Sequence, residues 1–371
     1  MTGPRPTRIL EGLPDAAPFL AAEALERRLG RPLDLRLGAN ESAFGPSPKA
    51  VEALTRAAGE AALYGDPDHF DLRERLAQQL GVVAEALLIG AGIDEILMMA
   101  LRAWMPEGAS VVAMRGTYPM IGYHTRGFGG QLHEVPYDAA RVDTAGLSKR
   151  AAEVDAKIVY LAMPDNPSGH QATSSEVAEL RSSLPKHCLL ILDEAYVEFA
   201  DPDEVLPLEV KDPALLRLRT FSKVHGLAGC RVGYALAHPR LLAVLEKIRL
   251  HFAVNRPGLA AACAAIEDQG HVRRVVVANA EGRDDYLRLA RDTGLEAVSS
   301  QTSFVLFRTP SSDCARDLRR ALLDRGVFTR LPWASPLDDC VRISVGTAPQ
   351  REILRPRFID ALASLKGTGS W

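Results

Sequence analysis

Lys223 stands in TFSKVHGLAGCRVGY (220–234), among hydroxyl, small and glycine residues, with Arg231 eight positions on. A lysine held partly from water beside a second cation has a lowered pKa and can act as a nucleophilic amine. A solvated loop lysine, the commoner state for any single lysine, needs no such setting. Upstream, DEAY (193–196) puts Asp193 at the close of an apolar run. A carboxylate buried there requires a cation or hydrogen-bond donors. A functional cation would satisfy it, and so would a helix cap or a structural ion pair. PDNPSG (164–169), which contains Asn166, is turn chemistry and by itself reads as a loop. In GAGIDE (90–95), free backbone N–H groups of Gly92, Ile93 and Asp94 could hold a phosphate at a helix start. Any strand-to-helix turn asks for the same glycine and cap. Arg342 lies inside the apolar run CVRISVG, where a guanidinium is costly unless paired. Its partner is either Asp338 or Asp339, or an anion that arrives with substrate.

These residues need elements to bring them together. ALLIGAG (86–92), SVVAMRG (110–116), KIVYLAMP (157–164), CLLILDEAY (188–196) and RVGYALA (231–237) are short, apolar and closed by glycine, proline or a polar residue, which predicts buried strands. Helical patterns lie between them at 48–58, 71–80, 94–104 and 174–184, the first with Ser47 as cap and Pro48 at its first position. Such alternation predicts an α/β fold, a mostly parallel sheet covered by helices on both faces. Ligands in such sheets gather beyond the carboxyl ends of the strands, where the marked residues recur. Helical patterns at 241–250 and 257–289 follow, then strands in TSFVLFRT and CVRISVG with helices at 313–325 and 349–365. They predict a second, smaller α+β domain. We place the large domain at 39–261 and the small one at 1–38 with 262–371.

The chain has 371 residues, 47% of them hydrophobic and 25% charged, with a net charge of −3. That suits a globular two-domain protein and gives no basic excess for a nucleic-acid partner. Its five cysteines, Cys188, Cys230, Cys263, Cys314 and Cys340, are scattered, odd in number and without a CxxC pair. Neither a disulfide framework nor a metal site is expected, and a reducing compartment is. The N-terminal stretch has no apolar targeting core and no run reaches membrane-spanning length, so we expect a cytoplasmic protein without a membrane partner.

Taken together, the motifs resemble the fold-type I pyridoxal-phosphate aminotransferases of class I/II, and within them the histidinol-phosphate aminotransferase branch. The likeness runs from LGANESAFGPSP (37–48) through YGDPDHFDLRERLA (64–77), DEAYVEF (193–199) and TFSKVHGLAGCRVGY to VRISVGT (341–347). It implies an aspartate-aminotransferase-like fold and pyridoxal 5'-phosphate as cofactor. Lys223 would then form the Schiff base with the cofactor aldehyde. Asp193 would pair with the ring nitrogen, and Tyr196 and Asn166 would bond the ring oxygen. Tyr118 would stack on the ring. Ser222, Arg231, Thr220 and the backbone at Ile93 and Asp94 would hold the phosphate. Tyr64 matches a tyrosine that reaches the phosphate of a neighbouring subunit, which implies a homodimer with shared sites. Arg342, Arg330 and Asn40 match substrate-binding positions.

The resemblance also implies the reaction, transfer of an amino group from a small-molecule donor to a 2-oxo acid. Departures fall near the substrate. GANES stands for NANEN, so Gly38 and Ser42 replace asparagines. AAPF places Phe19 where a tyrosine hydroxyl would touch a substrate phosphate. HFAVN (251–255) and PDNPSG differ from the family's wording as well, the latter keeping Asn166. Histidinol phosphate with 2-oxoglutarate is the expected pair. An aromatic or other amino donor is the alternative, as is decarboxylation of an amino-acid phosphate on the same scaffold. A binding protein without turnover is disfavoured by the complete cofactor set.

Overall fold

The computed structural model describes residues 3–13 and 21–366. Its strands, in chain order, are β1 (Leu35–Arg36), β2 (Leu87–Gly90), β3 (Ser110–Met114), β4 (Gln131–Val135), β5 (Ile158–Ala162), β6 (Leu189–Asp193), β7 (Leu215–Thr220), β8 (Gly233–Ala237), β9 (Glu296–Val298), β10 (Phe304–Arg308), β11 (Val327–Phe328) and β12 (Cys340–Ser344). Seven of them form one sheet in the order β2-β8-β7-β6-β5-β3-β4. All its neighbours pair in parallel except at β8, which runs against both β2 and β7.

Side chains alternate across this sheet, as a pleated strand requires. Val111, Ala113, Ile158, Tyr160, Ile191 and Leu218 point to the face covered by the helices Ile93–Trp104, Pro119–Gly127 and Pro239–Glu246. Val112, Val159, Leu161, Leu190 and Leu192 point to the other, under Thr144–Glu153 and Ser174–Ser183. Both faces being covered, the central strands β3, β5 and β6 are largely apolar, which is why they were legible as continuous runs.

Two strands of the sheet were not foreseen. QLHEV (β4) is a polar edge strand. LLRLRT (β7) is central yet carries Arg217 and Arg219, both buried. Glu194 makes them tolerable: it accepts from Arg217 Nη2 at 2.5 Å and from Arg219 Nε at 2.8 Å. The pattern at 257–289 is two helices rather than one, Arg256–Glu267 and Gln269–Thr293. Asp268 leaves the helical region between them (φ −92°, ψ 63°), and its side chain accepts the His271 N–H to cap the second.

Beyond the large sheet, β9, β10 and β12 make an antiparallel three-stranded sheet in the order β12-β10-β9, and β1 pairs in parallel with β11. Phe307, Phe358, Tyr286 and Val341 pack between these strands and the helices Gln269–Thr293, Ser312–Asp324 and Ala348–Lys366. Leu306 pairs with Arg342, which fixes where that arginine sits.

Candidate active site

The carboxyl ends of β2, β3, β5, β6 and β7 lie along one edge of the large sheet. Because β8 is antiparallel, its beginning lies at that edge as well and brings Arg231 with it. These ends open into a cavity of about 810 Å³, lined by residues of both sheets and by the segment 39–41. Of the expected site residues, Asn40, Ile93, Asp94, Tyr118, Asn166, Asp193, Tyr196, Thr220, Ser222, Lys223, Arg231, Arg330 and Arg342 all line it.

Asp193 ends β6 and is buried. Its Oδ2 accepts from the Tyr160 hydroxyl at 2.5 Å and its Oδ1 from the Ala195 N–H at 3.0 Å. Among the described residues no cation pairs with it, the two arginines of β7 being taken by Glu194, and the carboxylate is left with neutral donors. Burial pushes its pKa up to about 6, and the nearby Asp94 adds to the rise. Tyr160, Ala195 and Lys223 oppose it. A cation placed against Asp193 would relieve that cost.

Lys223 follows β7 and is half-buried. Its Nζ donates to the Asn40 carbonyl at 3.0 Å and lies 5.6 Å from the centre of the Tyr196 ring. Tyr196 accepts from Asn40 Nδ2 at 2.8 Å, and its ring meets Phe304 edge-on at 5.5 Å.

At the other end, Arg231 adopts a left-handed backbone (φ 55°) that turns its side chain back over Gly92. Gly92 has φ 82°, a conformation that side chains with a Cβ rarely adopt, and a Cβ there would also lie 2.3 Å from an Arg231 nitrogen. Arg231 Nη1 is 3.4 Å from Ser222 Oγ, and Nη2 is 3.7 Å from Asp94. Thr220 accepts the Ser222 N–H at 3.0 Å and so orients that serine. The Gly92 N–H instead bonds to the Gly90 carbonyl at 2.8 Å, which removes it from the expected phosphate donors. Arginine, serine hydroxyl and the start of the helix Ile93–Trp104 form a pocket suited to a dianion.

The family model for aminotransferase class I and II matches residues 34–358. Histidinol-phosphate aminotransferase 1 of Bacillus cereus is 35% identical over 335 residues, 89% of each chain. The structure of histidinol-phosphate aminotransferase from Sinorhizobium meliloti, solved in complex with pyridoxal-5'-phosphate, superposes with a TM-score of 0.94 at 40% identity, over 97% of this chain and 98% of that one. The chain belongs to the class I and II aminotransferases. An aspartate aminotransferase from Thermus thermophilus, 22% identical with a TM-score of 0.78 over 97% of this chain and 100% of that one, shares the fold. Membership bears out the fold, the enzyme class and the pyridoxal-phosphate cofactor expected from the sequence. The residues present fit that cofactor: an amine, a carboxylate without a cation, and a dianion pocket share one cavity.

In this aminotransferase Arg342 makes no ion pair with Asp338 or Asp339 among the described residues, and Asp339 pairs instead with Arg308 at 2.5 Å. Arg342 donates to Asn166 Oδ1 at 2.5 Å and to the Gly38 carbonyl at 3.2 Å, and its buried Nε has no hydrogen-bond partner. Burial holds its pKa down at about 10, with Arg330 adding to the fall and Tyr196 opposing it. Arg330 and Arg342 exchange backbone hydrogen bonds at 3.1 and 2.7 Å, an isolated antiparallel bridge that sets the two residues side by side. Gly38 has a local reason as well, since a Cβ there would meet the Phe328 ring at 2.8 Å.

Tyr118 donates to Asp94 Oδ1 at 2.9 Å. Burial, and then Asp94, push its phenol well above the usual range. Tyr64 is absent from the cavity of its own chain. It is 77% exposed, with its ring 4.7 Å from that of Phe252. Phe19 lies outside the described residues. Sequence reasoning missed Tyr160, whose only signal was a tyrosine in an otherwise aliphatic strand. It also missed Ser344, two positions from Arg342 and so on the same face of β12, and Trp333 at the cavity wall.

Proposed function

We propose that this aminotransferase acts on histidinol phosphate as amino donor and 2-oxoglutarate as acceptor. The observation that carries the reading is Arg342, a guanidinium without a carboxylate partner among the described residues, lining the same cavity as Lys223. An anionic end of each substrate would complete its bonds, and Arg330 beside it would hold a second anionic group.

Bound in this cavity, pyridoxal phosphate supplies an aldehyde carbon that exchanges amines and a ring that takes up the electron pair left at the substrate carbon. The chain's own groups do the rest. Lys223 would hold the cofactor through its aldehyde carbon, and its amine would serve as base and then acid for the proton of the substrate carbon. Asp193 would keep the ring nitrogen protonated. Tyr196 and Asn166 would donate to the ring oxygen, and Tyr118 would cover one face of the ring. Ser222, Arg231, Thr220 and the N–H groups of Ile93 and Asp94 would hold the phosphate. Asn40 sits beside the substrate.

The reading includes a division into domains at 39–261 and 1–38 with 262–371. It also includes a cytoplasmic homodimer in which Tyr64 reaches the phosphate of the partner subunit's site. The support for Tyr64 is its exposure beside Leu63, Phe252 and Leu250, which are exposed too.

A panel of amino donors tests the substrate. Histidinol phosphate should convert the bound cofactor from its aldehyde to its amine form, and 2-oxoglutarate should restore it. Faster conversion by aromatic amino acids would replace the donor. Carbon dioxide release without an acceptor would indicate decarboxylation.

A further inference from the structure

We propose that Asn40 and Ser344 form a positioning pair that directs the hydrogen of the Tyr196 hydroxyl into the cavity. The inference rests on the reading above, in which Tyr196 faces the cofactor's ring oxygen.

Asn40 has a left-handed backbone (φ 55°), a conformation asparagine tolerates better than most residues with a Cβ. Its N–H donates to Ser344 Oγ at 3.1 Å, and Ser344 Oγ donates in return to Asn40 Oδ1 at 3.0 Å. This reciprocal pair decides which way the Asn40 amide points. Its oxygen faces Ser344, so its nitrogen faces Tyr196, at 2.8 Å. An amide nitrogen only donates, and Tyr196 Oη must therefore accept. The phenol hydrogen is left for a different acceptor. Tyr196 is 3% exposed and wedged against Phe304, which keeps the hydroxyl from turning to bulk water. The cavity is where that hydrogen goes.

The same asparagine holds the amine, since its carbonyl accepts from Lys223 Nζ at 3.0 Å. Ser344 belongs to the strand that carries Arg342, and its own N–H bonds to the Leu37 carbonyl at 2.8 Å. One hydrogen-bonded unit thus joins the strand that grips substrate to the two groups that manage protons. It also accounts for Asn40 better than a direct substrate contact does, because both polar atoms of its side chain are already engaged.

The test uses the cofactor-loaded enzyme and the pH titration of its visible absorbance, which reports the proton shared between the ring oxygen and the Lys223 nitrogen. A donor to the ring oxygen stabilises its anionic form and lowers that pKa. Tyr196→Phe should therefore raise it by about one to two pH units, the shift that losing one charge-assisted hydrogen bond corresponds to. Asn40→Asp keeps the shape but can only accept, so Tyr196 must donate to it, and the titration should rise at least as far. Ser344→Ala, which touches neither cofactor nor Tyr196, should give a smaller rise that vanishes when Tyr196→Phe is already present. If Tyr196→Phe shifts the titration and both other variants leave it at the wild-type value, the positioning role is wrong. If Tyr196→Phe itself shifts nothing, the reading of Tyr196 falls and the proposal with it.

Discussion

Arg342 on β12 donates to the side-chain oxygen of Asn166, beyond the end of β5, at 2.5 Å. The contact joins the three-stranded sheet to the seven-stranded one inside the cavity. It also orients Asn166, because an amide whose oxygen faces a guanidinium turns its nitrogen, a donor, the other way. Arg342 therefore sets Asn166 and, in the proposed function, receives an anion as well.

Arg342→Ala should raise KM for donor and acceptor alike, by about 10- to 100-fold each, the effect of losing a hydrogen bond to a charged group. Arg342→Lys should recover little, since an ammonium cannot bond Asn166, Gly38 and a substrate oxygen in one plane. Steady-state kinetics with each substrate varied in turn will show it. A change confined to one substrate would place Arg342 at a side-chain pocket instead.

Asp193 predicts a pH dependence of stability in the cofactor-free protein. Its folded pKa, about 6, lies above the ordinary carboxylate value. The folded state thus binds the proton more tightly than the unfolded one. The stability this confers is complete below about pH 4 and is lost as pH rises through about 6, on the order of 3 kcal/mol. Asp193→Asn should abolish that loss, so the variant's Tm relative to wild type should climb between pH 4 and 7. Asp165 and Glu198, also buried with raised pKa values of about 6 and about 7, remain in both proteins and cancel. Parallel Tm curves would show that Asp193 titrates normally.

Tyr64 gives a complementation experiment. Tyr64→Ala should weaken cofactor binding, and Lys223→Ala should abolish turnover. In a mixed dimer of the two variants, one site combines Lys223 of one subunit with Tyr64 of the other and should regain activity. Mixtures that stay inactive, although hybrid dimers form, would confine each site to a single chain.

Much of the large sheet was legible because both of its faces are covered, which makes most of its central strands largely apolar runs. The strand carrying Arg217 and Arg219 escaped notice. Its charges are compensated by Glu194, more than twenty residues upstream, and no local pattern shows that pairing. The cavity residues were legible where chemistry restricts the residue type, as at Lys223, Asp193 and Arg231. Tyr160 and Ser344 were not, because a tyrosine or serine in a strand has many ordinary uses and only the fold brings each to its partner. Asn40 was noticed for its place in a motif, whereas the amide's orientation depends on a serine 304 positions away.

The central claim is that Lys223 carries the cofactor. Borohydride reduction of the yellow, cofactor-loaded protein, followed by proteolysis and mass mapping, measures it directly. The account predicts one reduced adduct, on the peptide containing Lys223, with loss of the visible absorbance and no adduct in Lys223→Ala. An adduct on a different lysine, or an unmodified Lys223 peptide after complete bleaching, would contradict it.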